Sequence, residues 1–140
     1  MQKGWEMKKF VLGLVALVIV TFSGELEDGE KAYQNSDFKK AFQSFIKVCN
    51  SKNLSGCNWL GVLYAKGQGT KQNYFKAKEY YQKACDGGNV FGCNNLGNLY
   101  RDSQGVKQNK TKAKELFGKA CDMGNQYGCD QYAKLNSQGY

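Results

Sequence analysis

Between positions 77 and 100 the apolar residues fall into two helical stripes. Ala77, Tyr80, Tyr81, Ala84 and Cys85 stand at i, i+3, i+4, i+7 and i+8, one face of an α-helix. Cys93, Leu96, Gly97 and Tyr100 mark one face of a second helix. Gly87-Gly88-Asn89 separates the two with residues that tolerate positive φ, and Asn73 precedes the first helix as a candidate N-cap. The glycine-containing stretch from Asp102 to Gly105 ends the second helix. Gly97, like Gly61 earlier in the chain, costs helix propensity on an apolar face, which predicts close helix–helix approach there. The pattern predicts an αα-hairpin.

The hairpin recurs with a period of 36 residues. Ala41, Ala77 and Ala113 keep this step, as do Phe45, Tyr81 and Phe117, and Leu63, Leu99 and Leu135. Lys71-Gln72-Asn73 corresponds to Lys107-Gln108-Asn109 in the same way. Asn53, Asn89 and Asn125 recur at the turns and read as turn or capping residues. Successive hairpins bury one another's faces, so the fold class is all-α: a short α/α solenoid. Hairpins are expected at about 37–66, 73–102 and 109–136 within a repeat domain of 24–140, after a lead-in helix over 25–35 that carries Tyr33. The ends depart from the pattern. Tyr132-Ala133 replaces the Leu-Gly pair of the earlier units, and Ser103 stands where the previous unit has Gly67. These departures read as capping, since terminal repeats of an array are atypical.

Ahead of the repeats, Lys8 and Lys9 precede an unbroken apolar run from Phe10 to Val20, and Thr21 and Ser23 follow it. A basic start, a short apolar core and small residues at the exit describe a signal peptide over 1–23. The run is shorter than the ~20 residues a spanning helix needs. An uncleaved N-terminal anchor is the alternative, and Met7 is an alternative start. Cleavage would make the protein secreted or periplasmic, with no membrane attachment of the mature chain.

Six cysteines form two ladders on the same period: Cys49, Cys85 and Cys121, and Cys57, Cys93 and Cys129. Cys85 and Cys93 lie four residues either side of Asn89, so an antiparallel hairpin turning there brings them face to face. Repeat symmetry then favours Cys49–Cys57, Cys85–Cys93 and Cys121–Cys129 among the 15 pairings that six cysteines allow. Each such bond is worth roughly 2.5 kcal/mol in the chain-entropy account. Zinc is the competing reading. Its ligands come as closer pairs, often with histidine, and the chain has no histidine, so no metal is expected.

With 14% aromatic residues and no proline, the composition is that of a folded chain. Net charge is +8, and loss of 1–23 removes Lys3, Lys8, Lys9 and Glu6 to leave +6. The lysines recur in register, as a solvated helix face requires. An exported protein with such a face is not expected to take nucleic acid as a partner, and no cofactor is implied.

The stretch from Leu60-Gly61-Val62-Leu63-Tyr64 through Gly67-Gln68-Gly69 to Lys76-Ala77-Lys78-Glu79-Tyr80-Tyr81-Gln82-Lys83-Ala84-Cys85 resembles one Sel1-like repeat, a relative of the tetratricopeptide repeat. Leu96-Gly97-Asn98-Leu99-Tyr100 through Ala120-Cys121 resembles the next. Two cysteines per 36-residue unit are similar to the cysteine-rich Sel1-like proteins of Helicobacter and related bacteria. That resemblance implies two functions: penicillin binding with weak β-lactamase activity, or a scaffold that binds proteins or peptides. A genuine hydrolase and a secreted antigenic factor without catalysis are the alternatives. A serine β-lactamase needs Ser-x-x-Lys supported by Ser-Asp-Asn and Lys-Thr-Gly. Ser36 to Lys39 and Ser44 to Lys47 match the first element and neither companion exists, so no catalytic residue is assigned. Glu79 and Glu115, beside Lys78 and Lys114, read as a solvated helix face. Candidate ligand contacts are Asn58, Asn94 and Asp130, which align, with Asn98 and Arg101 on the helix of Asn94. Their amides and charges suit a peptide, a peptidoglycan fragment or a β-lactam, or a surface of another protein.

Overall fold

The computed structural model describes residues 24–140; the leader expected over 1–23 lies outside them. Helix α1 covers 24–34 and is followed by α2 (Phe38–Asn50), α3 (Leu54–Lys66), α4 (Tyr74–Asp86), α5 (Val90–Asp102), α6 (Lys110–Asp122) and α7 (Gln126–Ser137). Local chemistry sets the boundaries of α2 to α7. Asp37, Asn53, Asn73, Asn89, Asn109 and Asn125 each accept a hydrogen bond from a backbone N–H of the first turn. Each of the six helices also carries a lysine or arginine in its last turn, where the carbonyl end of the dipole favours a cation.

Consecutive helices pack against each other along the whole array, from α2 on α3 to α6 on α7. Equivalent residues of the units occupy equivalent places in the core. Ala41, Ala77 and Ala113 are sealed from solvent, and Phe45, Tyr81 and Phe117 form the central plug of each unit. Each plug lies against a glycine of the preceding helix: Phe45 on Gly29, Tyr81 on Gly61, Phe117 on Gly97. A Cβ at Gly97 would stand 2.9 Å from Phe117 Cε1, so the helices approach as closely as they do only because that atom is absent. Gly29 shows what α1 is. It plays the part of Gly61 but sits four residues nearer its aromatic partner, because the turn 35–37 is four residues shorter than the turn 67–73. The lead-in helix is therefore the inner helix of a first hairpin, joined by a tighter turn.

The bridges are Cys49–Cys57, Cys85–Cys93 and Cys121–Cys129, with Cα atoms 4.6, 4.5 and 4.5 Å apart. Each closes one hairpin across the turn that ends in the asparagine cap. The first two are buried, whereas Cys121 and Cys129 are half-buried at the end of the array. On α7, Gln126, Asp130, Ala133 and Ser137 are exposed, and Tyr132 is 39% exposed where Leu60 and Leu96 are buried. The outward face of α7 is thus mostly polar, as the cap of a repeat stack requires.

A polar and aromatic face on the inner helices

Helices α3, α5 and α7 are linked to one another by hydrogen bonds between their side chains. Asn95 Nδ2 donates to Asn58 Oδ1 at 2.9 Å, joining α5 to α3. Between α5 and α7, Asn94 Nδ2 donates to Asn125 Oδ1 at 2.8 Å and Tyr127 OH donates to Asn98 Oδ1 at 2.8 Å. Asn125 Oδ1 also caps α7 by accepting from Gly128 N at 3.0 Å, so the Asn94 contact locks the next hairpin at its turn. Arg101 completes the set. Its Nη1 donates to Gln131 Oε1 at 2.7 Å and to Tyr127 OH at 3.3 Å, while Nε and Nη2 fork onto the carboxylate of Asp102, both at 2.7 Å. The fork to Asp102 holds the guanidinium pKa above its ordinary value, and the same contact holds the Asp102 carboxyl below its own.

Four of the five sequence-derived candidates meet on this face, and the fifth does not. Asn58 and Asn94 are buried, 94% so for Asn94, and their amides are committed to contacts between hairpins. Asn94 Oδ1 alone among their polar atoms is both buried and without a partner among the described residues. Asn98 and Arg101 stand further along α5, half-buried. Asp130, the counterpart of Asn94, is exposed on α7 and accepts from Gln126 Nε2 at 2.8 Å.

Sequence reasoning missed the residues that this face exposes. Phe91 is 59% exposed and Tyr127 41%, and they occupy the same repeat position on α5 and α7. Asn95 and Gln131 share the position filled by Trp59 on α3. At the other end, the Trp59 ring stacks on Phe45 at 5.3 Å and its Nε1 donates to Glu30 Oε1 at 3.2 Å, so α1 holds it in place. The available signal was the reverse of the one used. Positions that break the repeat on an otherwise regular helix, such as Ser55, Phe91 and Tyr127, are not fixed by the packing that every unit shares.

The serine–lysine pairs are arranged differently. Ser44, with Lys40, Gln43, Ile46 and Lys47, lines an open cavity of about 450 Å³ on α2. Lys47 Nζ points to Glu25 Oε1, 3.4 Å away, and among the described residues no hydrogen bond joins Ser44 to either lysine. Ser36 occupies the turn before α2 with φ +61°. Among the described residues neither serine has the hydrogen-bonded base that nucleophilic catalysis uses. Among the described residues no group of three or more Asp, Glu, Cys or His side chains is placed to hold a metal ion.

Stacked αα-hairpins, each stapled across its turn and joined by a polar face on alternate helices, define a repeat scaffold of the α/α-solenoid class. The Sel1 repeat profile matches residues 54–89 and 90–125, and the chain belongs to the Sel1 repeat family. Among curated relatives, HcpC of Helicobacter pylori strain J99 is 48% identical over 48 residues, 34% of this chain and 17% of that protein. HcpE of the same strain is 44% identical over 43 residues, 31% of this chain and 12% of that protein. Both carry provisional β-lactamase names, and the matched segment spans less than a fifth of either. Among solved structures, a Sel1 repeat protein from Oxalobacter formigenes superposes with a TM-score of 0.77 at 25% identity, over 81% of this chain and 47% of that one. A protective antigen of uropathogenic Escherichia coli with the same fold gives 0.75 at 27% identity, over 84% and 26%. The cysteine-rich protein B of H. pylori gives 0.62 at 30% identity, over 74% and 93%.

Proposed function

We propose that this chain is an exported scaffold that recognises a peptide, free or as the stem of a peptidoglycan fragment, on the face formed by α3, α5 and α7. Sel1 repeats form scaffolds for protein–protein interaction, and this chain has that scaffold. The observation that carries the finer reading is the row of bonded amides and hydroxyls flanked by the exposed rings of Phe91 and Tyr127. Asn95 and Gln131, one repeat apart, and Asn98, one turn further along α5, offer donors and acceptors to an extended backbone, and the two aromatics offer apolar anchors beside them. Cross-helix bonds fix these groups before a ligand arrives, which lowers the entropic cost of binding. Export is supported by three bridges that persist only in an oxidising compartment.

The test is a nuclear magnetic resonance titration of oxidised 24–140 with soluble muropeptides and with a pool of unstructured peptides. Shifts clustered at Asn95, Asn98, Tyr127 and Gln131, and abolished by Asn98→Ala with Tyr127→Ala, support the assignment. Shifts elsewhere, or none with either probe, remove it. The names of the Helicobacter relatives favour a second reading, β-lactam hydrolysis. Nitrocefin turnover above a contaminant control and lost in Ser44→Ala would establish that reading. Its absence from correctly bridged protein would eliminate it.

A further inference from the structure

A cavity of about 490 Å³ lies away from the inner-helix face. The turn from Gly105 to Asn109 lines it, together with Tyr100 of α5 and Lys78 of α4. Its volume falls within the range of small-ligand pockets. The geometry points to a binding site for an oxyanion, a phosphate or carboxylate group borne by a small ligand, held by Lys78 and Lys107.

Comparison of two turns within this chain carries the argument. Tyr100, Gly105, Lys107, Gln108 and Asn109 are the repeat counterparts of Tyr64, Gly69, Lys71, Gln72 and Asn73. One wall differs in kind. Where the second unit has Lys78, the first has Phe42, an apolar plug whose ring packs edge-on against Tyr64 at 5.4 Å. Exchanging that plug for a lysine puts a second cation in the cavity beside Lys107.

Nearby carboxylates do not neutralise this pair. Glu79 is bonded to Lys76, Glu115 to Lys112 and Asp102 to Arg101. Among the described residues no carboxylate lies within 4.0 Å of Lys78 or Lys107. The first turn of α6 carries no acid, and with Lys112 paired to Glu115 it adds one further positive charge, Lys110, next to Asn109 of the cavity wall. Like charges confined to a concave surface raise the local potential, and an anion relieves it. The exposed ring of Phe75 lies beside Lys78, whose Nζ is 5.3 Å from its centroid, and offers the body that bears the anion an apolar contact next to that lysine.

The turn is built to stay open. Gln108 Nε2 donates to Arg101 O at 2.8 Å and Asn109 N donates to Tyr100 O at 3.0 Å. Gly105 has φ +66° and packs on Tyr74, leaving no room for a side chain. The cavity therefore exists without a ligand, and filling it needs no rearrangement of the backbone.

Oxidised 24–140 would be titrated with sodium phosphate and, separately, with sodium acetate, at constant ionic strength set with chloride, while backbone amide shifts are followed. Saturable shifts confined to residues 103–110 and the neighbourhood of Lys78 are expected. A response to phosphate alone, acetate alone or both distinguishes the two anion sources. Lys78→Phe, which copies the first unit, and Lys107→Gln should each weaken binding by about tenfold. Lys40→Gln with Lys83→Gln removes two charges elsewhere and should leave binding unchanged. No saturable shift in the unmodified protein overturns the site, as does a response spread over all lysine-bearing surfaces. Equal weakening by the Lys40 and Lys83 changes would likewise reduce it to non-specific charge.

Discussion

Gly97 in α5 and Gly118 in α6 give a direct test of the close-packed architecture, because the same substitution should have opposite signs at the two sites. Alanine in a helix interior is favoured over glycine by about 1 kcal/mol. At Gly97 the new Cβ would stand 2.9, 3.0 and 3.1 Å from three atoms of the Phe117 ring, which is completely buried. Moving a buried ring by a few tenths of an ångström displaces everything packed behind it, at a cost of about 1–3 kcal/mol. The cost outweighs the propensity gain, and Gly97→Ala should be destabilising by about 1 kcal/mol. At Gly118 the Cβ would stand 3.2 and 3.3 Å from the Tyr132 ring, which is 39% exposed at the end of the array and has solvent to move into. There propensity wins, and Gly118→Ala should be stabilising by about 0.5–1 kcal/mol. Equilibrium urea denaturation with all bridges intact reads both. With a slope near 1.5 kcal/mol/M, typical of small domains, the midpoints should move in opposite directions by about half a molar. A Gly97→Ala protein more stable than the parent would refute the close approach of α5 and α6 as the reason for that glycine.

Other perturbations follow from the same structure. Ser103 holds the left-handed conformation, φ +58°, that Gly67 holds at the end of α3, so Ser103→Gly should raise the melting temperature by a few degrees, measured by circular dichroism. Limited reduction of the native protein should open Cys121–Cys129 first, since the other two bridges are buried; alkylation and peptide mass analysis gives the order, and early labelling at Cys85 or Cys93 would contradict it. Replacing Cys85 and Cys93 together by alanine should cost about 2.5 kcal/mol in the urea assay. Asp102→Asn should cost under about 1 kcal/mol at pH 7, because the Asp102 carboxylate is 41% exposed and its pair with the half-buried Arg101 is screened by water. The folded-state pKa of Asp102 is depressed, so its contribution is present above its unfolded pKa of about 4 and is lost as pH falls through the lower folded value. Stability curves of the parent and Asp102→Asn should therefore converge in acid and separate above it.

The fold was legible because each unit repeats its packing problem. Ala77, Tyr81 and Cys85 are spaced for one helix face, and seeing them again at 113, 117 and 121 turns a local expectation into an architecture. Cysteines equidistant from a turn left little freedom for other pairings. The role of α1 was less visible, because its turn is four residues short and Gly29 falls out of the 36-residue register; only the contact with Phe45 reveals it. The candidate site was the hardest part, for a physical reason. Asn58 and Asn94 attract notice by recurring, and recurrence in a solenoid marks what every unit needs, here a polar contact from one hairpin to the next. Recognition needs the opposite, side chains that differ from unit to unit on a common frame. Phe91 against Ser55, Asn95 against Trp59 and Lys78 against Phe42 are such differences. The first two pairs lie on the inner-helix face, and the third sets the character of the cavity beside the turn 105–109. In this chain the repeated residues build the scaffold, and the residues that break the repeat are where the proposed ligands would have something specific to read.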